Sequence, residues 1–291
     1  MARRTVMAGG LAATVSLAAA RAEAFSAADF KAIEHRLGGL IGVDAWNTAD
    51  GGRVSWRAED RFFMCSTFKV LAVAAVLARV DHGQERLDRF VRYGHRDLLS
   101  YAPVTTANLA HGGMAVIDLC AAAIEVSDNT AANLLMQSLG GPAGVTHFVR
   151  GLGDTVTRLD RTEPHLNDAV AGDPRDTTTP AAMLGLWRQV LMRNNLSLAS
   201  RQRLFDWLRA CKTGPDRLPA CTPRDWAIAH KTGSGENGAA GDVAMLLPPG
   251  KPPILIAVYL GDNSAPPEAH ASAIAEAGRL ALRRLTSKFE A

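Results

Sequence analysis

From Thr67 to about Val80 the chain is apolar on every face that a helix could present, with Phe68, Val70, Leu71, Val73, Val76 and Leu77 spread round the wheel. Such a helix cannot lie on a surface; it has to run through the middle of a folded unit. With 291 residues, 47% of them apolar, the chain is long enough to build that cover in one large unit or two intimate lobes. One residue fits the helix badly. Lys69 stands in its first turn, and a buried ammonium without a task is costly.

The covering elements can be read on both sides. Ser26 can cap a first helix to about Leu37, and Leu40 to Asn47 then alternates Ile41, Val43 and Ala45 before the turn Asp50-Gly51-Gly52 and a second strand over Arg53 to Arg57. Helical patterns follow at Ala115–Val126, Thr130–Leu139, Gly144–Leu152, Thr179–Met192 and Ser200–Ala210. Strands return at Trp226–Thr232, Asp242–Leu247 and Ile254–Tyr259, and an amphipathic helix spans Glu268 to Leu285. Strands at both ends with helices between predict an α/β protein of the α+β type. Residues 25–64 and 212–291 would form an antiparallel sheet covered by the first and last helices, and residues 65–211 a helical lobe, with the active site at the seam.

The first 24 residues read as an export signal: Arg3-Arg4, an uncharged Ala-rich stretch from Thr5 to Ala20, and Ala22-Glu23-Ala24 as a cleavage site. About 16 weakly apolar residues fall short of the roughly 20 that a spanning helix needs, so no stable membrane anchor is expected. The paired arginines hint at the twin-arginine route, and the destination is periplasmic or secreted. Residues 1–24 hold three Arg and one Glu, so without them Lys+Arg is 29, Asp+Glu 28 and the net charge +1 instead of +3. A nearly neutral chain with no basic cluster argues against a nucleic-acid partner. The eight His never fall at His-x-His or His-Glu-x-x-His spacing, so no metal is expected. Export permits disulfides among Cys65, Cys120, Cys211 and Cys221; a Cys211–Cys221 bridge and free thiols both remain open.

Four groups of residues carry chemistry. Ser66 and Lys69 are three apart at the start of the buried helix, which puts hydroxyl and amine on one face, an activatable nucleophile whose own N–H is free for an oxyanion. Alone, Ser-x-x-Lys is also an ordinary helix start. Ser127-Asp128-Asn129 reads alone as a capping segment; beside Ser66 it offers a proton relay in Ser127 and an amide partner in Asn129. Lys-Thr-Gly occurs twice. Only Lys231-Thr232-Gly233 ends a strand, where the small Gly233, Ser234 and Gly235 let a ligand approach the backbone closely, whereas Lys212-Thr213-Gly214 reads as a loop. In the polar stretch from Arg161 to Asp176, Glu163 and Asn167 lie four apart, suited to holding one water, while Arg161 and Asp176 could close an omega loop.

Ser-x-x-Lys, Ser-Asp-Asn and Lys-Thr-Gly in this order are a signature of class A β-lactamases and penicillin-binding proteins, and the chain resembles the former over nearly all of its mature length. Tyr101-Ala102-Pro103-Val104 is similar to the family's gate-tyrosine segment, and Ser127 to Asn133 and Arg161 to Met183 match as well. The resemblance implies a five-stranded antiparallel sheet flanked by the terminal helices, and no cofactor. It implies Ser66 as nucleophile, Lys69 as base or relay, Ser127 as relay to the lactam nitrogen, Asn129 as amide anchor and Glu163 with Asn167 as holders of the deacylating water. Ser66 and Ser234 N–H groups would form the oxyanion hole, Lys231, Thr232 and the Ser234 hydroxyl would receive the substrate carboxylate, Gly233 would lie beside them and Tyr101 would line the cleft. Many members place an Arg where this chain has Ala240; Arg217 matches an alternative position. The family's cysteine bridges would need Cys at Gly235 and near Val73, so neither is expected.

The function expected is hydrolysis of penicillins, with cephalosporins suggested by Ser234, Gly235 and Glu236, by a monomer acting on a small molecule. A penicillin-binding D,D-peptidase shares the serine machinery but generally lacks the deacylating Glu. A β-lactam sensor should keep a membrane segment and a signalling domain. A generic serine esterase would show Gly-x-Ser-x-Gly, which is missing at Ser66.

Overall fold

The computed structural model describes residues 27–286. The export signal over 1–24 and the proposed cap Ser26 lie outside the described residues. Helix α1 covers 27–37. The hairpin β1 (Leu40–Asn47) and β2 (Arg53–Trp56) follows, and β3 is the short Phe62–Phe63. A 3-10 turn over Cys65–Phe68 runs straight into α2 (Lys69–Asp81). The middle of the chain gives β4 (Phe90–Arg92), α3 (Pro103–Ala107), β5 (Gly113–Ala115), α4 (Val116–Glu125), α5 (Asn129–Ser138), α6 (Pro142–Gly151), β6 (Thr177–Thr178), α7 (Pro180–Met192) and α8 (Leu198–Arg209). It closes with β7 (Ala227–Ser234), β8 (Ala240–Leu247), β9 (Ile254–Gly261) and α9 (Pro267–Thr286).

The long strands form one antiparallel sheet in the order β2-β1-β9-β8-β7. Strand β9 shows why the sheet sits at the centre. Its residues alternate between two cores: Ile254, Ile256, Val258 and Leu260 pack with Phe30 and Ile33 of α1 and Ile274 of α9, while Leu255, Ala257 and Tyr259 face Met183 and Trp187 of α7 and the helices beyond. A strand apolar at every position is one buried on both faces. The first nine residues of α2 are buried too, as an all-apolar helix requires. The second core therefore runs without a break from the sheet into the helical region, with α2 along its length.

Two further features aim the chain at the seam. Strand β3 pairs with β6, and Met64 N–H donates to the Asp176 carbonyl at 3.0 Å, so the approach to Ser66 is tied to the end of the Arg161–Asp176 stretch. Cys65 (φ 43°) and Ser127 (φ 61°) adopt left-handed backbone, uncommon for residues with a Cβ, and each turns the chain sharply beside the cleft.

Leu71, fully buried on α2 between sheet and helices, measures how far the fold depends on this helix. Leu71→Ala should lower unfolding stability by about 2–5 kcal/mol in urea titrations; a loss below about 1 kcal/mol would mean that the packing around α2 collapses into the gap.

Candidate active site

Nine of the predicted residues converge on one cleft of about 440 Å³ between the end of β7 and the helices. Ser66, Ser127 and Asn129 line its floor; Asn167 and the half-exposed Tyr101 stand at its rim; Arg217, Thr232, Gly233 and Ser234 close the opposite side. Lys69, Glu163 and Lys231 lie beneath, at 0%, 2% and 0% exposure. A larger hollow of about 720 Å³ beside α4 holds none of these groups, so chemistry and not size selects the cleft.

Ser66 sits in the first turn of the Cys65–Phe68 helix, where N–H groups have no intrahelical acceptor. The serine and lysine were expected on one helical face; Ser66 Oγ donates to Glu163 Oε1 at 3.4 Å, and Lys69 Nζ lies 3.0 Å from the same oxygen, so the two groups meet at one carboxylate. Lys69 also donates to the Ser127 carbonyl (2.8 Å), Ser127 Oγ (3.2 Å) and Asn129 Oδ1 (2.6 Å). Helical spacing sets only the direction of a side chain; the acceptors from the Ser127–Asn129 segment and Glu163 decide where the ammonium settles. Burial pulls the Lys69 pKa below the ordinary amine range, against the opposing pull of Glu163, so it parts with a proton more readily than a solvated lysine.

Lys231 approaches Ser127 from the sheet, with Nζ 2.9 Å from Ser127 Oγ and 2.9 Å from the Thr232 carbonyl. Ser127 Oγ thus lies between two buried lysines. Burial, and then the repulsion of Lys69, push Lys231 down to about 7. Arg217 Nη1 donates to the carbonyls of Gly233 (2.7 Å) and Gly241 (2.8 Å), and Nη2 to Ser234 Oγ (2.6 Å). Its guanidinium therefore reaches the place beside Ala240, which pairs with Ser234 across β7 and β8.

Glu163 is fixed from its backbone outward. Its N–H donates to Asn133 Oδ1 (3.0 Å) and its carbonyl accepts from Asn133 Nδ2 (2.9 Å). Asn167 Nδ2 donates to Glu163 Oε2 (2.6 Å), which leaves Asn167 Oδ1 buried without a protein partner. An unpaired buried acceptor beside a carboxylate is a place for a water that can donate to both. Arg161 Nε contacts Asp176 Oδ2 at 2.5 Å, while Asp176 Oδ1 accepts the N–H groups of Asp160 (2.7 Å) and Arg161 (2.9 Å). The loop tip is latched to the sheet by Glu236 N–H donating to the Asn167 carbonyl (2.9 Å).

The sequence reading assigned no role to several of these parts. Asn133 lies four residues after Asn129 on α5, a spacing that could have marked it as facing the same way. Asp128 is more than a helix cap: besides Ala131 N–H it accepts those of Val104 and Thr105 and the Thr105 hydroxyl, holding the Tyr101 segment in place. The first Lys-Thr-Gly is a loop, as expected, yet Thr213 and Gly214 line the cleft, and Thr213 Oγ1 lies 2.6 Å from Thr232 Oγ1. The space spared by Gly233 is taken by the chain itself, since a Cβ there would meet Met64 O at 2.7 Å and Ser66 N at 3.1 Å. All four cysteines are free, and a Cβ at Gly235 would crowd Cys65 Sγ at 2.8 Å. Among the described residues no group of His, Cys, Asp and Glu could hold a metal ion.

The β-lactamase enzyme family model matches residues 26–285. A class A β-lactamase of the last common ancestor of Gram-negative bacteria is 53% identical, over 88% of this chain and 98% of that one, with a TM-score of 0.86. A variant of that ancestor is 51% identical over 90% and 99%, with a TM-score of 0.89. PenP of Rhodopseudomonas palustris, assigned to class A, is 48% identical over 88% and 97%, with a TM-score of 0.85.

Asp176→Ala would strip three donors of their acceptor and leave the largely buried Arg161 without its partner. We expect a loss of about 3–5 kcal/mol in chemical unfolding. A loss under about 1 kcal/mol would show that the rest of the loop holds itself.

Proposed function

Since the chain belongs to the β-lactamase enzyme family, as a class A member, we propose that it opens the β-lactam ring through an acyl-enzyme on Ser66 and frees itself with a water held by Glu163 and Asn167. The observation that carries this reading is Glu163: a buried carboxylate within reach of the nucleophile, beside an open acceptor on Asn167. A sensor, whose acyl-enzyme has to persist, has no use for that arrangement, and a penicillin-binding peptidase generally lacks it.

Ser66 Oγ attacks the lactam carbonyl, and its proton passes to the Glu163 carboxylate that it already faces, or through that oxygen to Lys69. The oxyanion forms against the N–H groups of Ser66 and Ser234. As the C–N bond breaks, Ser127, flanked by the two lysines, passes its proton to the leaving nitrogen and is reprotonated through Lys69 by the proton that Ser66 gave up, which leaves Glu163 a carboxylate again. That carboxylate then takes a proton from the water as it attacks the ester carbonyl, and the proton goes to Ser66 Oγ as the ester bond breaks. Asn129 meets the substrate amide, Tyr101 covers it, and Arg217, Lys231, Thr232 and Ser234 receive its carboxylate. Penicillins and, through the opening bounded by Ser234, Gly235 and Glu236, cephalosporins are the substrates, and their hydrolysis confers resistance. No helix among the described residues is long and apolar enough to cross a membrane. The export signal at residues 1–24 would deliver the protein as a monomer to the periplasm or the medium.

Glu163→Ala should acylate yet stall: turnover of a penicillin drops by about 10²–10⁴-fold, and intact mass shows one adduct on Ser66. A parent protein that itself stops after one stoichiometric burst would overturn the proposal. A second measurement uses pH. Lys231, held down to about 7, carries its charge below that pH and loses it above. The kcat/KM for a β-lactam bearing a carboxylate should therefore fall as pH rises through 7, more steeply in Arg217→Ala, where no guanidinium is left to compensate. A flat profile from pH 6 to 8 in that variant would remove Lys231 from carboxylate recognition.

A further inference from the structure

Beside the cleft, but outside the machinery described above, lies a second constellation of ionisable groups. Cys211 follows α8 and is only partly buried. His230, the residue before Lys231 on β7, stands near enough to Cys211 for its charge to act on the thiol and turns Nδ1 to Asp242 on β8, 3.0 Å from Oδ1. Asp242 is fully buried and also accepts the N–H of Leu218 at 3.1 Å. Carboxylate, imidazole and thiol thus stand in sequence, the order in which a cysteine becomes a stable thiolate beside an imidazolium. The charged or polar groups acting on the thiol are His230 and Lys231 of β7, with Asp242 behind His230, and Thr213 of its own loop. Burial works against the thiolate, but His230, Lys231 and Thr213 together hold Cys211 down to about 7. Burial likewise disfavours the His230 cation, which Asp242 nevertheless sustains, up to about 10.

The other three thiols serve as internal controls. Burial pushes both Cys65 and Cys221 up to about 12, and Cys120 higher still. Cys211 is also wired to the cleft. Its Sγ lies 3.3 Å from Thr213 Oγ1, which lies 2.6 Å from Thr232 Oγ1 in the carboxylate end of the site. As an anion it also favours the charged form of Lys231.

We propose that Cys211 is a thiol-modification site that takes small disulfides and haloacetamides, and that its adduct weakens the carboxylate end of the cleft through Thr213, Thr232 and Lys231. With a disulfide, the Cys211 thiolate attacks one sulfur, a new S–S bond forms and the old one breaks, and the departing thiolate takes a proton from solvent; with a haloacetamide, an S–C bond forms as the C–halogen bond breaks and halide leaves. His230 keeps its proton, and no other oxidant is needed. The adduct removes the negative charge near Lys231 and crowds Thr213 away from Thr232. The labelling half of this proposal stands by itself; the effect on turnover rests on the β-lactam hydrolysis proposed above.

The test treats the folded protein near pH 7 with glutathione disulfide and, separately, with iodoacetamide, followed by intact mass and peptide mapping. One adduct is expected, on Cys211, and none on Cys211→Ser. Labelling of the parent should rise through about pH 7, and His230→Gln should slow it by on the order of tenfold at pH 7. Fully labelled parent should lose kcat/KM for a penicillin by about threefold at pH 8, with a smaller loss at pH 6, while Cys211→Ser keeps its own rate through the same treatment. No label, label on another cysteine, or a parent thiol that titrates in the ordinary cysteine range would overturn the site, and the parent profile decides this even if His230→Gln does not fold. Complete labelling with unchanged kcat and KM would overturn the coupling. A parent that labels at Cys211 yet hydrolyses no β-lactam would count against the hydrolase reading alone.

Discussion

The contact between Lys69 and Glu163 sets the terms for everything around it. A lysine in the first turn of a helix buried over its first nine residues cannot reach water, and removing its charge from solvent is costly unless partners surround it. Four oxygens do so: two from Ser127, one from Asn129 and one from Glu163. None of these belongs to the helix that carries the lysine. The α4–α5 connection and the long loop before α7 are therefore both drawn onto the start of α2, and a cleft results where they meet the sheet.

Each of these segments is held by a buried carboxylate. Asp128 gathers the donors of Val104, Thr105 and Ala131, so the turn that presents Ser127 and Asn129 cannot drift from the Tyr101 segment. Asp176 does the same for the loop that presents Glu163, through Arg161 and two backbone N–H groups. The groups that line the cleft belong to segments fixed by charge-assisted hydrogen bonds. That fixity holds the Glu163 carboxylate and the Asn167 amide in one geometry, and among the described residues no group of His, Cys, Asp and Glu could hold a metal ion.

The sheet side of the cleft has a different character. Lys231 and Lys69 repel one another across Ser127, and what keeps Lys231 useful is the anionic surroundings supplied by Cys211, Asp242 and Glu163. The charges of Cys211 and Asp242 thus bear on Lys231 in the cleft, although Cys211 stands just before the Lys-Thr-Gly triplet that reads from sequence as a mere loop.

Local pattern was enough to read the elements, because periodicity and capping are local properties. The alternation in β1, the wholly apolar α2 and the amphipathic α9 each lie within a residue or two of where the sequence predicts them, and the resemblance to class A β-lactamases rests on motifs that are contiguous in the chain. Strands at the two ends of the chain pointed to one antiparallel sheet, but their order, β2-β1-β9-β8-β7, came only with the fold. What the sequence could not reveal is which groups touch. It put Ser66 and Lys69 on one face but could not show that both meet Glu163; it read Gly233 as room for a ligand, whereas the backbone at Met64 and Ser66 fills that room. It left Asn133, Asp128, Thr213 and His230 without a role in the cleft. The reason is physical. Helical and strand spacing fix the direction of a side chain relative to its own element, but a buried charge chooses its partners from whatever the folded chain brings within about 3 Å, and here those partners come from segments 58 to 97 residues away.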